Sequence, residues 1–181
     1  MKIGIIIGSV RNDRNGAQVG EWTYNFAKNR NDADVTYELV DLKDFDLPIM
    51  GTDATEAQGA AIGKWSSLMA SFDGYVIVTP EYNRAVPGGL KNALDYLQPE
   101  LHNKAVGYVG YGGLGALSSI GTLRLINAEQ ELASVRTMVT FSIMTDFENM
   151  SVFKPAPFNE VNATKMLDQL LLWSKALKAV R

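Results

Sequence analysis

Residues 1–16 read MKIGIIIGSVRNDRNG, and the rest of the chain is organised around them. Ile3, Ile5, Ile6 and Ile7 make a β-branched apolar run, which reads as a strand buried on both faces. The run stops at Gly8-Ser9, and Val10-Arg11-Asn12-Asp13-Arg14-Asn15-Gly16 follows as a small, polar, basic loop. Val19, Trp22, Phe26 and Ala27 then recur at helical spacing. Strand, basic loop and helix together form the arrangement in which helix N-terminal N–H groups converge on an anion. Ser9 adds a hydroxyl, while Arg11 and Arg14 add planar guanidinium forks that match phosphate oxygens. The loop lacks G-x-x-x-x-G-K-[ST], and no G-x-G-x-x-G follows the strand, so neither common nucleotide fingerprint applies.

Working outward, Val35–Asp41 alternates as a second strand, and an irregular segment with Asp44, Asp46 and Pro48 follows. A helix is expected over about Thr55–Phe72, with Ile62, Trp65, Leu68 and Met69 on one face. Tyr75–Thr79 is a third apolar strand, and the loop from Pro80 to Gly89 leads into a helix over Leu90–Leu97. Further elements are a strand over Lys104–Tyr111, a helix over Leu114–Ala133, a strand over Val135–Ile143 and a closing helix over Asn159–Val180. Trp22, Trp65 and Trp173 sit among apolar residues at helical spacing and read as core or interface. Strands alternating with helices imply a parallel sheet covered on both faces. Five such units fit a doubly wound, flavodoxin-like sheet in the order 2-1-3-4-5, as one domain over residues 1–181.

Composition narrows the function. At 181 residues, 46% hydrophobic and 20% charged, the chain has an ordinary soluble make-up. Its 17 basic and 20 acidic side chains leave a net charge of −3 with no basic block, which argues against nucleic acid as a partner. The absence of cysteine rules out disulfides, thiol catalysis and thiolate metal sites. His102 is the only histidine, reads as a surface loop residue, and leaves no basis for a metal centre. No apolar run approaches the ~20 residues of a membrane span. With no secretory signal either, the expected location is cytoplasmic, and the N-x-[ST] matches at Asn149 and Asn162 read as chance.

In the 2-1-3-4-5 order, strands one, three and four are neighbours, so the loops at their carboxyl ends surround one crevice. The first loop is the Ser/Arg cradle. The second presents Tyr82 and Asn83 between Pro80 and Pro87, and the third is Tyr111-Gly112-Gly113, where backbone can approach a flat ligand. A phosphate pocket, an aromatic side chain and a glycine shelf suit a planar ring with a phosphate tail. Flavin mononucleotide (FMN) matches that description.

These residues carry a resemblance. Gly8–Gly16 resembles the G-S-x-R-x-x-R-x-G loop of the NADPH-dependent FMN reductases, and Thr79–Leu97 resembles that family's second signature nearly throughout. Tyr111-Gly112-Gly113 resembles its third, so the likeness runs from Met1 to about Phe141. Asn12-Asp13 departs from the Pro-Gly frequent in the family, and an acid there is unfavourable beside a phosphate unless it points away or bonds Arg11 or Arg14.

The resemblance implies an FMN enzyme, reduced by NADPH or NADH, that passes electrons to quinones, azo dyes, free flavin or chromate. Ser9, Arg11, Arg14, Asn15 and Gly16 would hold the phosphate. Pro80, Glu81, Tyr82 and Asn83 would line the ring mostly through backbone, and Gly112 and Gly113 would approach its far side. No protein residue is expected to act as nucleophile or base, because the flavin carries the chemistry. Arg84 is a candidate contact for the nicotinamide dinucleotide. The resemblance also implies a homodimer or homotetramer, with the helix after the second signature at the interface. The alternative reading is a flavodoxin-type electron carrier or an FMN-bound redox sensor without nicotinamide turnover.

Overall fold

A computed structural model describes residues 1–181. β1 (Lys2–Ile7), β2 (Thr36–Asp41), β3 (Gly74–Pro80), β4 (Lys104–Gly112) and β5 (Leu132–Ser142) form one sheet in the order β2-β1-β3-β4-β5. Every pairing in it is parallel. The helices are α1 (Gly16–Asn29), α2 (Glu56–Ala70), α3 (Gly88–Asp95), α4 (Leu117–Glu129) and α5 (Asn159–Lys178). Side chains alternate across the strands, so Tyr75 and Ile77 enter one core with Trp65, Leu90 and Ile120 from α2, α3 and α4. Val76 and Val78 enter the other with Val19 from α1 and Met166 and Leu170 from α5. Two covered faces explain why the inner strands are apolar at nearly every position.

Local chemistry sets several boundaries. Thr55 starts α2 through a capping box with Gln58, as the helix expected from about Thr55 requires. α4 starts three residues later than the Leu114 expected from sequence, because Gly115 and Ala116 adopt left-handed conformations at φ +65° and +59°. β5 starts at Leu132 rather than Val135. A short antiparallel hairpin, β6 (Phe147–Glu148) and β7 (Val152–Phe153), was not legible because its strands have two residues each. The buried Asp146 carboxylate holds this region by accepting hydrogen bonds from Ser142 N at 2.8 Å, Ala156 N at 3.3 Å and Asn159 Nδ2 at 3.1 Å.

α3 ends at Asp95, two residues before the Leu97 expected from sequence, and the apolar stripe that it shares with Leu97 faces inward. Leu90, Leu94 and Leu97 are 1%, 2% and 0% exposed, so they pack on the sheet and are not available to an interface. Trp65 is also core, with its indole N–H donating to Ala93 O at 2.9 Å.

At the amino edge of the sheet, the buried Lys104 ammonium donates to Met69 O, Ala70 O and Tyr75 OH at 3.0–3.2 Å, and so satisfies the last carbonyls of α2. Burial pulls its pKa down from 10.5 to about 8. Below pH 8 the folded protein bears the full cost of a desolvated charge, and between pH 8 and 10.5 only the unfolded chain keeps that proton. Stability from this group therefore rises with pH across that window, by about 1–2 kcal/mol once solvent screening is allowed for. Urea unfolding of wild type and Lys104→Met between pH 7.5 and 10.5 checks this. The rise should be missing in the variant, and equal slopes would refute it.

Candidate active site

The chain leaves β1 for the β2 edge and returns to place β3 on the other side of β1. The carboxyl ends of β1, β3 and β4 therefore frame a crevice at the point where strand order reverses. The three loops named from sequence converge there, and their side chains join them. Ser9 is fully buried, and its Oγ lies 2.7 Å from Tyr82 OH, tying the first loop to the second. The Arg11 guanidinium sits over the Tyr82 ring with Cζ 5.5 Å from the centroid, a cation–π contact.

Asp13 answers the question its position raised. Arg11 Nε and Nη2 donate to its two carboxylate oxygens at 2.9 and 2.6 Å. These bonds hold the Asp13 carboxyl below the usual carboxylate range, and Asp13 in turn raises the guanidinium. Both side chains are exposed, so the pair exchanges readily with solvent ions.

Two expected phosphate contacts are engaged elsewhere. Arg14 donates through Nη1 to Ser9 O at 2.8 Å and through Nη2 to the Asp41 carboxylate at the end of β2. Its side chain is 9% exposed, so the geometry makes it a brace of the loop rather than a free fork. Asn15 directs its amide to Met150 O at 3.1 Å in the β6–β7 turn and makes no side-chain cap on α1. Gln18 reinforces that junction, donating to Ser151 O at 2.8 Å and accepting from Phe153 N at 2.9 Å. Gly16 opens α1 hard against Tyr111, and a Cβ there would collide with the phenol oxygen. The first N–H groups of α1 point into the loop without intrahelical acceptors.

In the second loop, Pro80 ends β3, and Tyr82 and Ala85 exchange backbone hydrogen bonds at 3.1 and 3.0 Å. Asn83 and Arg84 between them have φ of +51° and +65°, a two-residue hairpin turn of the primed kind. Asn tolerates that region; Arg84 is strained in it, a cost that tends to persist at functional sites. Glu81 does more than line the crevice with backbone. Its Oε2 accepts from Ser118 N at 2.8 Å and Ser119 N at 3.4 Å, placing a carboxylate on the N-terminus of α4. Ala116 at the cap position offers no side chain for that purpose. Arg84 Nη1 is 3.8 Å from Glu81 Oε1, an ion pair too long for a hydrogen bond, and the side chain is 69% exposed.

In the third loop, Gly112 has φ +153° and its carbonyl accepts from Ile143 N at 3.0 Å. Gly113 has open space where a side chain would stand, so a flat ligand can approach the backbone. Tyr111, between core and loop, is 4% exposed, and its hydroxyl has no hydrogen-bond partner. An orphaned buried donor, a helix N-terminus and the Arg11 fork fit a phosphate, and Tyr82 beside the open glycine shelf fits its planar ring. Sequence reasoning missed Asp41, Gln18 and the Glu81 carboxylate role, because each acts on a partner distant in the chain.

A doubly wound α/β fold with an anion cradle at its switch point defines a class of nucleotide-binding protein. The model of the family described as NADPH-dependent FMN reductase matches residues 1–146, and the chain belongs to that family. It is 34% identical over 177 residues to an NAD(P)H-dependent FMN reductase of Schizosaccharomyces pombe, covering 93% of this chain and 84% of that one. It is 30% identical over 148 residues to a 2-hydroxy-1,4-benzoquinone reductase of a Burkholderia species, covering 82% of this chain and 76% of that one. Among solved structures, the flavoenzyme NAD(P)H:(acceptor) oxidoreductase FerB of Paracoccus denitrificans has the same fold. The TM-score is 0.69 at 18% identity, covering 94% of this chain and 97% of that one. Family membership makes the protein an oxidoreductase that uses FMN and NAD(P)H. No helix is long and apolar enough to cross a membrane.

Proposed function

We propose that the protein oxidises NAD(P)H through bound FMN and passes the electrons to a quinone or a similar planar acceptor, the two substrates binding in turn. The observation that carries this reading is the joining of the cradle to the aromatic loop: Ser9 Oγ meets Tyr82 OH at 2.7 Å, and Arg11 covers the Tyr82 ring. The similarity to a quinone reductase supports the acceptor class.

FMN, when bound, supplies the hydride and electron chemistry; the protein supplies binding, orientation and fixed dipoles. Arg11, the Ser9 hydroxyl and the first N–H groups of α1 hold the phosphate, while Arg14 keeps the loop shaped by bridging Ser9 O and Asp41. The backbone of Pro80–Asn83 and of Gly112-Gly113 lines the ring, and the N–H groups there stabilise added negative charge. Glu81 anchors the second loop to α4 and so sets the distance between the second and third loops. Parallel double-reciprocal plots for NADPH against a benzoquinone test the order of binding. Intersecting lines would exclude alternation, and bound FMN without NAD(P)H turnover would point to an electron carrier.

Arg84 borders the crevice as an exposed cation with one long ionic contact, free to meet the pyrophosphate or 2′-phosphate of the dinucleotide. Arg84→Ala is expected to raise the KM for NADPH roughly tenfold and to leave FMN affinity unchanged. A smaller rise with NADH would assign the contact to the 2′-phosphate, and unchanged kinetics with both would leave Arg84 a turn residue. Self-association, if the chain follows the resemblance to dimers or tetramers, must use faces other than the α3 stripe. The outer side of α4, where Leu125 is 75% exposed, is the face we propose. The same reading puts the protein in the cytoplasm, where reduced nicotinamide is regenerated.

A further inference from the structure

Tyr111 lies next to the end of β4, whose other polar side chains, Lys104 and Tyr108, are hydrogen-bonded, yet its own hydroxyl is not. The ring belongs to the core between the sheet, α1 and α5, and the residue is 4% exposed. The hydroxyl makes no well-aligned hydrogen bond, although the Ser9 side chain lies close enough to oppose the rise that burial gives its pKa. The neighbouring Tyr82 hydroxyl is already bonded to Ser9 Oγ, and the Arg14 guanidinium is directed to Ser9 O and Asp41. A phenylalanine would fill the same volume without leaving a buried donor unpaired, so packing alone does not explain the oxygen.

Its position does. The phenol oxygen stands so close to where a Cβ on Gly16, the first residue of α1, would be that any side chain there would collide with it. The buried oxygen thus lies against the first turn of α1, beside the N–H groups that have no intrahelical acceptor. Arg11, on the same loop, is the exposed counterpart.

We propose that Tyr111 is a further phosphate-binding residue, whose hydroxyl donates to the ligand phosphate from the buried side of the cradle. Burial raises the phenol's pKa, so the group stays protonated and remains a donor throughout the working pH range. It accounts for Gly16 as well: the glycine lets a long side chain from β4 reach beneath a loop that belongs to β1. The inference rests on the reading of the first loop as the FMN phosphate site.

Tyr111→Phe tests it, because the substitution removes one oxygen and keeps the ring. Two readouts separate a ligand contact from a structural role. Thermal unfolding of the cofactor-free protein should show a Tm unchanged or raised, since an unpaired buried hydroxyl is lost. Titration with FMN should show a dissociation constant raised about tenfold, with riboflavin, which has no phosphate, binding as in wild type. FMN affinity equal to wild type would overturn the proposal. Equal weakening of FMN and riboflavin would also overturn it, as would a clear fall in the Tm of the cofactor-free variant; each makes the hydroxyl structural. A wild-type protein that binds FMN no better than riboflavin would instead refute the phosphate site itself, a separate failure.

Discussion

Arg11→Ala is expected to weaken FMN binding tenfold or more while leaving riboflavin binding nearly unchanged. Arg11 is the exposed cation of the cradle, and its fork is occupied by Asp13 in a two-oxygen pairing that a phosphate can imitate. Binding of FMN exchanges one anion for another on the same guanidinium. Removing Arg11 takes away the attraction and also leaves Asp13 as an uncompensated charge beside the phosphate. The loss should therefore exceed that of an ordinary charge-assisted hydrogen bond. The double variant Arg11→Ala/Asp13→Asn should recover part of it, since the repulsion is gone. Isothermal titration with FMN and riboflavin separates the outcomes, and a parallel loss for both ligands would show that Arg11 acts on the ring through Tyr82 alone.

Leu97→Glu is expected to unfold the protein rather than to release subunits. Leu97 is fully buried among Leu90, Leu94, Leu101 and Trp65, and its carbonyl accepts from Gln130 Nε2 at 3.2 Å. Loss of the buried leucine costs about 2–5 kcal/mol, and an unpaired carboxylate in that core adds several more. The sum is on the scale of a whole domain's stability, roughly 5–15 kcal/mol. Circular dichroism and light scattering should find an unfolded or aggregated chain, with Leu97→Ala folded but melting earlier. A well-folded particle of lower mass would reverse the assignment and restore an interface role. Lys91→Ala, on the outer side of α3, should be nearly silent, since it removes only a surface pair with Asp95 at 2.6 Å.

Alternation leaves the strand order open, and 2-1-3-4-5 follows only from chain size and the ligand loops, an expectation that the sheet bears out. What the sequence by itself determined was the succession of strands and helices and the three unusual loops. Those properties are written in local chemistry: β-branched runs, helical periodicity, a polar basic loop between Ile7 and Gly16, and glycines at the end of β4. The α3 stripe was legible as apolar, but periodicity says only that a face is buried, not whether sheet or subunit covers it. Ser9, Arg11 and Tyr82 were legible as a group once that order was assumed, since it brings their loops together.

What each polar side chain does within that group was decided by tertiary structure. Arg14 and Arg11 look equivalent in the loop, yet Arg14 lies beside Asp41 at the end of β2 and becomes a brace. Asn15 turns to the β6–β7 hairpin, whose strands are too short to announce themselves. Glu81 caps a helix that begins 36 residues later, because Ala116 at that helix's cap position is left-handed and has no polar atom. Tyr111 reads from sequence only as the residue that leads β4 into the glycine shelf; that its hydroxyl lies without a partner beneath Gly16 is visible only in the structure. Periodicity places residues on faces, but a hydrogen bond depends on a second atom within about 3 Å, and in this site that atom usually belongs to a distant part of the chain.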